Sequence, residues 1–207
     1  MIKNILTDSS DTNRLEMFSD GVFAIVITLL VLEIRVPEIA YPVLSAEFVS
    51  ELMHLWPKFF VFALSFVVIY IIWMNHHQTF KMIVKSNRAL MLLNGLLLFF
   101  IVLIPFPTAL VGEYPLQPAS AIIYGVVMAL MGLSFLLMYW YIPRQDLVDE
   151  SIPQTLLKKG FKRAMVSPIF YSIGAISALI FLPPILLNLY FNSNLLSLSG
   201  TYGVIKA

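Results

Sequence analysis

The sequence predicts an all-α integral membrane protein with six transmembrane helices per subunit and both termini in the cytoplasm. Three observations predict this fold class: the composition, the lengths of the apolar runs and the distribution of basic residues. Of the 207 residues, 59% are apolar and only 12% are charged. A soluble domain carries about 25% charged residues. This chain has too little polar surface to cover a soluble fold, so we expect most of it to lie in lipid.

The apolar runs give the number and positions of the spans. A helix rises about 1.5 Å per residue, so about 20 apolar residues cross the hydrocarbon core of a bilayer. The first run is interpreted as a mature span, because its leader is mixed in charge and no small-x-small cleavage site follows it. Residues 1–207 are predicted to form a single transmembrane domain with spans at about 18–36, 52–74, 89–111, 119–142, 161–182 and 184–199.

The basic residues predict the orientation of these spans. Cytoplasmic loops collect Lys and Arg. If the leader, the connections after spans two and four, and the tail are all placed inside, 11 of the 13 basic residues become cytoplasmic. Only Arg35 and Lys58 then remain outside. With six spans, the C-terminal tail lies in the cytoplasm, on the same side as the N-terminal leader. With five spans, the tail would lie outside.

The composition also excludes several kinds of function. The chain has no cysteine, which excludes disulfides, thiol catalysis and zinc-thiolate sites. Spans three, four and five contain no Asp, Glu or His, which argues against an intramembrane enzyme because such an enzyme needs converging ionisable groups. The net charge is +1, and no basic stripe suggests nucleic acid as a partner. We therefore predict no catalytic residue, no cofactor and no resident metal.

The first span has two different faces when it is drawn as a helix. Successive residues turn by about 100°, which places Leu29 and Leu32 within about 40° of Ile25 and forms one aliphatic stripe. Thr28 borders this stripe, and Asp20 lies on the opposite side. A carboxylate near the membrane normally faces protein. Asp20 is therefore expected to point into its own bundle, and the stripe is expected to face lipid or a partner subunit.

Two motifs identify a family resemblance. The pattern R-x-x-x-F-S-D, at Arg14, Phe18, Ser19 and Asp20, opens directly into the first apolar helix. A second stretch, WMNHHQTF at residues 73–80, ends the second span. Together they closely resemble the transmembrane-protein-175 family of potassium channels in its short bacterial form, and the resemblance covers the whole chain.

The resemblance implies a homotetramer in the cell membrane, with potassium as the permeant ion and the first helix of each subunit lining the pore. It implies that Ile25, Leu29 and Leu32 form the pore constriction and that Thr28 flanks it and contributes to selectivity. The family lacks the carbonyl-type selectivity filter T-V-G-Y-G of ordinary potassium channels, and this sequence lacks that motif too.

The resemblance also implies a structural polar network behind the pore helix. Its predicted members are Arg14, Ser19, Asp20, Trp73, Asn75 and His77. The residues themselves leave the role of the two adjacent histidines open. Neighbouring positions point to different sides of a helix, so His76 and His77 make a poor metal pair. They are either ordinary hydrogen-bonded histidines, or His77 joins the network.

The sequence therefore predicts a potassium-preferring cation channel that is closed by a hydrophobic constriction. The partners it implies are further copies of the chain, membrane lipid and potassium ions. Two alternatives stay open: a secondary transporter of monovalent cations, and a non-conducting structural membrane protein. Transporters often show two inverted halves with broken helices, and this sequence shows no such halves. The basic run KKGFKR at 158–163 is first a topology signal, and it could also bind anionic lipid.

Overall fold

The computed structural model describes residues 9–39 and 45–203, and the side chains of residues 12–39 and 45–180. The described chain is built from α-helices with two short 3-10 turns, at Leu30–Glu33 and Ile142–Gln145. The helices are α1 Ser9–Leu29, α2 Ser45–His54, α3 Trp56–Phe80, α4 Arg88–Leu103, α5 Pro105–Glu113, α6 Pro118–Tyr141 and α7 Gln154–Gly203.

Five helical segments in the described residues are long and apolar enough to cross a membrane. They are Thr12–Glu33, Ser45–Phe80, Arg88–Glu113, Pro118–Gln145 and Gln154–Ile180. These segments overlap the first five predicted spans, and the protein is a multi-pass, all-helical membrane protein. The predicted sixth span at 184–199 falls within α7, but it lies outside the residues whose side chains are described, so it stays a prediction.

Proline determines where several helices begin. The ring removes a backbone N–H and is best tolerated in the first turn of a helix. Pro57 and Pro118 accordingly lie in the first turns of α3 and α6. Pro105 begins α5 directly after Ile104, so the predicted span 89–111 consists of two successive helices, α4 and α5.

The core of the protomer lies around α6, which packs against α7 on one side and α4 on the other. A buried hydroxyl cluster joins three helices at this core. The Ser65 hydroxyl lies 2.9 Å from Thr108 Oγ1 and 3.1 Å from the Tyr124 hydroxyl. Thr108 donates its proton to the Ile104 carbonyl at 2.8 Å. Ser65 therefore donates to Thr108 and accepts from Tyr124, which satisfies all three hydroxyl groups away from water.

A short backbone bridge joins the connection after α3 to the connection after α6. The Val84 amide donates to the Leu147 carbonyl at 2.9 Å, and the Asp149 amide donates to the Met82 carbonyl at 3.1 Å. Ile83 and Leu147 are buried at this bridge. The two connections at the basic end of the bundle therefore form one packed unit. We call this unit the loop bridge.

The close contact between α6 and α7 depends on glycine. A methyl group at Gly132 would lie 2.9 Å from the Pro168 ring and 2.9 Å from the Ser167 hydroxyl, which is closer than real side chains approach. We expect Gly132→Ala to lower the free energy of unfolding by about 1–3 kcal/mol through overpacking. Thermal unfolding of the purified protein in detergent measures this change.

Gly174 provides the matched control for Gly132. It lies on α7, and a methyl group there would meet nothing within 4 Å. Replacing a helical glycine by alanine in open space stabilises a helix by about 1 kcal/mol. Gly174→Ala should therefore raise the unfolding temperature while Gly132→Ala lowers it. Equal shifts in the two variants would contradict the close contact at Gly132.

Candidate functional site

Helix α1 carries two apolar faces, and the described part of the chain covers only one of them. Phe23 and Val26 are each 1% exposed and pack in the core. Ile25, Leu29 and Leu32 are 60%, 40% and 68% exposed. A large aliphatic stripe without cover in one protomer must meet lipid or another copy of the chain. We call these three residues the exposed stripe.

The 3-10 turn keeps the exposed stripe straight at its far end. The last α-helical residue is Leu29, and Leu30–Glu33 form the tighter turn. A 3-10 helix has three residues per turn, so residues three apart eclipse each other. Leu32 therefore lies directly above Leu29.

The Thr28 hydroxyl beside the stripe donates to the Ile25 carbonyl at 2.8 Å, which leaves its oxygen lone pairs free to face water or a cation.

A buried hydrogen-bonded chain fixes the opposite face of α1 to α3 and α4. Ser19 donates to the Leu15 carbonyl at 2.8 Å and accepts from the Asn94 side-chain amide at 2.8 Å. The Asn94 carbonyl oxygen lies 2.9 Å from Nε2 of His76. Because that oxygen can only accept, Nε2 of His76 carries the proton in this arrangement. Ser19, Asn94 and His76 are fully buried, so this chain replaces water with protein partners on three helices.

The His76 ring also packs as an aromatic group. It lies between Phe23 of α1, at a centroid distance of 5.4 Å, and Phe80 of α3, at 4.3 Å. Aromatic pairs at such distances contribute about 0.5–1.5 kcal/mol beyond their area burial. The polar contact with Asn94 and the two ring contacts hold His76 in one orientation. Its Nδ1 is buried and has no hydrogen-bond partner among the described residues.

A second polar group joins α1 to α3 closer to the surface. The Trp73 indole donates to Asp20 Oδ1 at 2.9 Å, and Nδ1 of His77 lies 2.8 Å from Glu16 Oε1. The Trp73 and His77 rings stack at 5.7 Å with an interplanar angle of 11°. Glu16 and Asp20 are four residues apart on α1, and Trp73 and His77 are four apart on α3. The two helices therefore present matching pairs on facing turns.

Three of these side chains have the chemistry of metal ligands. Glu16, Asp20 and His77 offer ligand atoms within 4.8 Å of one another. The protein already provides partners for these atoms, since Glu16 pairs with His77 and Asp20 accepts from Trp73. Hydrogen bonding within the protein accounts for the cluster, and the absence of a resident metal stays a prediction.

The structure brings together four of the six residues of the predicted network. Ser19 joins the buried chain, and Asp20, Trp73 and His77 form the second group. Arg14 is exposed, and its side chain has no hydrogen bond or ion pair with any described residue. Asn75 is exposed too, and its side chain makes no hydrogen bond with any described residue, although its backbone carbonyl accepts from the Thr79 hydroxyl at 2.7 Å.

Sequence reasoning missed two members of this region as network residues, His76 and Asn94. The signal for Asn94 is present in the sequence, because it is a lone amide inside the apolar run LMLLNGLLLFF. A polar side chain inside a transmembrane helix normally faces protein and finds a partner there. That rule predicts a buried contact for Asn94, but it does not name Ser19 and His76 as the partners.

Removal of the Asp20 carboxylate tests the second polar group. Asp20→Ala leaves the Trp73 indole N–H without its acceptor, and we expect a loss of about 1–3 kcal/mol in stability. Expression yield and the thermal midpoint should fall, while the relative potassium and sodium fluxes stay unchanged. Glu38→Ala removes an exposed acid beyond the end of α1 and is the control. A variant with altered ion preference and unchanged assembly would mean that Asp20 lines the ion pathway.

Comparison with known proteins identifies the family. The sequence model described as "Endosomal/lysosomal potassium channel TMEM175" matches residues 14–105. These residues contain α3, α4 and both motifs that carry the resemblance. A potassium channel of Chryseobacterium sp. is 32% identical over 178 residues, which cover 86% of this chain and 88% of that protein. The chain belongs to the TMEM175 family.

Two further relatives support membership of the TMEM175 family. A potassium channel of Chamaesiphon minutus is 44% identical over 127 residues, which cover 59% of this chain and 62% of that relative. The alignment thus spans less than two thirds of that protein. The crystal structure of a lysosomal potassium-selective channel TMEM175 homolog from the same species superposes with a TM-score of 0.72 at 32% identity, covering 89% of this chain and 98% of that one. TMEM175 is a family of ion channels, which confirms both the resemblance and the prediction that the chain is not an enzyme.

Proposed function

We propose that this chain is a potassium-preferring cation channel of the cell membrane. Four copies assemble around an axis, each with six spans and with both termini in the cytoplasm, and α1 of each copy lines the pore. The exposed stripe of Ile25, Leu29 and Leu32 is the observation that carries this proposal. The names of the bacterial relatives as potassium channels support the choice of ion.

The proposed closure is hydrophobic. Four copies of Ile25 around an axis either fill the space between the helices or leave a passage too apolar for water to persist. Constrictions of this kind gate by dewetting. A modest rotation or dilation of the four α1 helices would widen the ring and admit a water file with a largely hydrated cation. No charged residue occurs between Ile25 and Leu32, so the barrier at the constriction is one of hydration.

Selectivity in this proposal comes from partial dehydration at the same ring. A cation that passes Ile25 must give up part of its water shell, and the Thr28 hydroxyl oxygens lie beside that point. Their protons are held by the backbone, so the oxygen atoms can offer lone pairs to a passing ion. Ordinary potassium channels replace the hydration shell with rings of carbonyl oxygens. Four hydroxyl oxygens replace fewer water ligands, so we expect weaker discrimination here.

The polar network supports the pore helix from behind. Ser19, Asn94 and His76 join α1 to α3 and α4, and Asp20 and Trp73 repeat the connection nearer the surface. These contacts lie on the face of α1 opposite the exposed stripe. They fix the rotation of α1 about its own axis, and that rotation decides which side chains meet at the symmetry axis.

Flux measurements on liposomes test the proposed function. The purified full-length protein is reconstituted, and potassium, sodium and proton fluxes are compared under equal driving forces, with protein-free vesicles as the control. A channel gives potassium flux that exceeds sodium flux and does not saturate. Saturating flux that couples to a proton or sodium gradient would favour a secondary transporter, and no flux of any ion would favour a structural membrane protein.

A further inference from the structure

A cavity of about 310 Å³ lies at the basic end of the bundle, away from the exposed stripe of α1. Its walls come from the end of α3, the last turns of α6 and the first turns of described α7. This volume falls at the lower end of the range for small-molecule sites in proteins, about 300–1,000 Å³. None of the residues that line it belongs to the buried chain of Ser19, Asn94 and His76.

The cavity combines an apolar floor with a basic rim. Met131 and Phe135 of α6 contribute to the floor. Lys81 at the end of α3 and Lys159 and Arg163 on α7 form the rim, and these three side chains are exposed. The lining contains no Asp or Glu. Three cations around one opening without a neighbouring acid create a local positive field that attracts an anionic group.

One buried polar atom in the wall of the cavity lacks a hydrogen-bond partner in the described part of the chain. The Ser167 hydroxyl oxygen is buried, and it has no hydrogen-bond partner among the described residues. A buried hydroxyl without a partner costs about 1–3 kcal/mol. Ser167 lines the cavity one turn beyond Arg163 on α7. An occupant with ester or phosphate oxygens would provide the missing partner.

From this arrangement we propose that the cavity binds one anionic phospholipid. The phosphate lies among Lys81, Lys159 and Arg163, and the glycerol esters lie near Ser167. The acyl chains leave along the apolar floor of α6 towards the surrounding bilayer. Basic pockets between transmembrane helices bind anionic headgroups in this way. The proposal requires only that the chain is embedded in a membrane. It is therefore independent of the proposal that the chain conducts ions.

The basic run of α7 offers a matched pair of variants. Lys159→Gln with Arg163→Gln removes two charges from the rim of the cavity. Lys158→Gln with Lys162→Gln removes the same number of charges one residue earlier, from side chains that line a different surface. The two residues of each pair are four positions apart on the same helix. Each double variant removes two positive charges, so the net charge changes equally. All four side chains are exposed or half-buried, and neither pair takes part in the polar network.

The experiment titrates the purified full-length protein in non-ionic detergent with phosphatidylglycerol, phosphatidylcholine or inorganic phosphate and follows the thermal midpoint. Phosphatidylglycerol should raise the midpoint of the parent protein, while phosphatidylcholine and inorganic phosphate should not. Each basic residue near a lipid headgroup contributes about 1 kcal/mol, so the Lys159→Gln/Arg163→Gln variant should need roughly 30-fold more phosphatidylglycerol. The Lys158→Gln/Lys162→Gln variant should keep the parent concentration dependence.

Three results would overturn the proposal. Equal losses in the two double variants would mean diffuse attraction to the whole basic run. Equal stabilisation by phosphatidylcholine would mean that the cavity does not select an anionic headgroup. Stabilisation by inorganic phosphate to the same extent would assign the rim to a free anion. Conduction plays no part in these measurements, so failure of the channel proposal leaves their outcome unchanged.

Discussion

Ile25→Asn should raise basal potassium flux through the reconstituted protein by at least about tenfold, which corresponds to a barrier lowered by about 1.4 kcal/mol. Ile25 is 60% exposed on the face of α1 that carries the stripe. An amide at this position gives water hydrogen-bond partners inside the constriction, so a continuous water file persists there. The ratio of potassium to sodium flux should fall in the same variant, because ions then retain more of their hydration water.

Val31→Asn is the control for Ile25→Asn. Val31 lies on the same span and is 50% exposed, but it points to a different side from the stripe. The same substitution there introduces the same polarity without touching the proposed constriction, and flux should remain close to that of the parent. Unchanged flux and selectivity in Ile25→Asn, with the oligomeric state of the parent retained, would remove Ile25 as the constriction. Equal increases in both variants would indicate general loosening of α1.

Asn94→Leu should destabilise the protomer by about 2–4 kcal/mol, because it removes the centre of the buried chain. Leucine has nearly the shape of asparagine, so packing volume is kept. The Nε2–H of His76 and the Ser19 oxygen lose their partner in a region that water does not reach. The thermal midpoint in detergent and the fraction of monodisperse protein on size-exclusion chromatography measure the loss.

Asn75→Leu is the matched control for Asn94→Leu. Asn75 is exposed, and its side chain has no hydrogen-bond partner among the described residues. The same chemical change at this position should leave the thermal midpoint within about 0.5 kcal/mol of the parent stability. If Asn94→Leu were equally mild, the buried chain would contribute little, and the rotation of α1 would have to be fixed by apolar packing alone.

Hydropathy was enough to locate five helical segments that are long and apolar enough to cross a membrane, since each contains a run of about 20 apolar residues. It placed helix ends less well. The first span was expected from residue 18, but α1 begins at Ser9. Seven of the nine residues from 9 to 17 are polar, and a polar helix that projects beyond the hydrocarbon leaves no hydropathy signal. Val36 was assigned to the same span, yet the helix ends at Glu33.

The sequence predicted that polar side chains of α1 face the protein, but it did not predict which residues they bind. Angular position alone placed Asp20 opposite Ile25, and the structure shows Asp20 held by Trp73 on α3. Pairing of Ser19 with Asn94 joins residues 75 positions apart. No periodicity in one helix specifies which turn of another helix faces it. That register depends on the packing of whole helices, which only the tertiary structure supplies.

The loop bridge has a practical consequence for counting protomers. Distance measurements between spin labels need attachment sites on an ordered backbone. The backbone around Val84 and Leu147 is held by the hydrogen bonds of the loop bridge. Lys85 and Glu150 are exposed beside them. Since the chain has no native cysteine, Lys85→Cys or Glu150→Cys would carry one spin label per copy. Four labels at the corners of a square would then give two label-to-label distances, one along the side and one along the diagonal of the square.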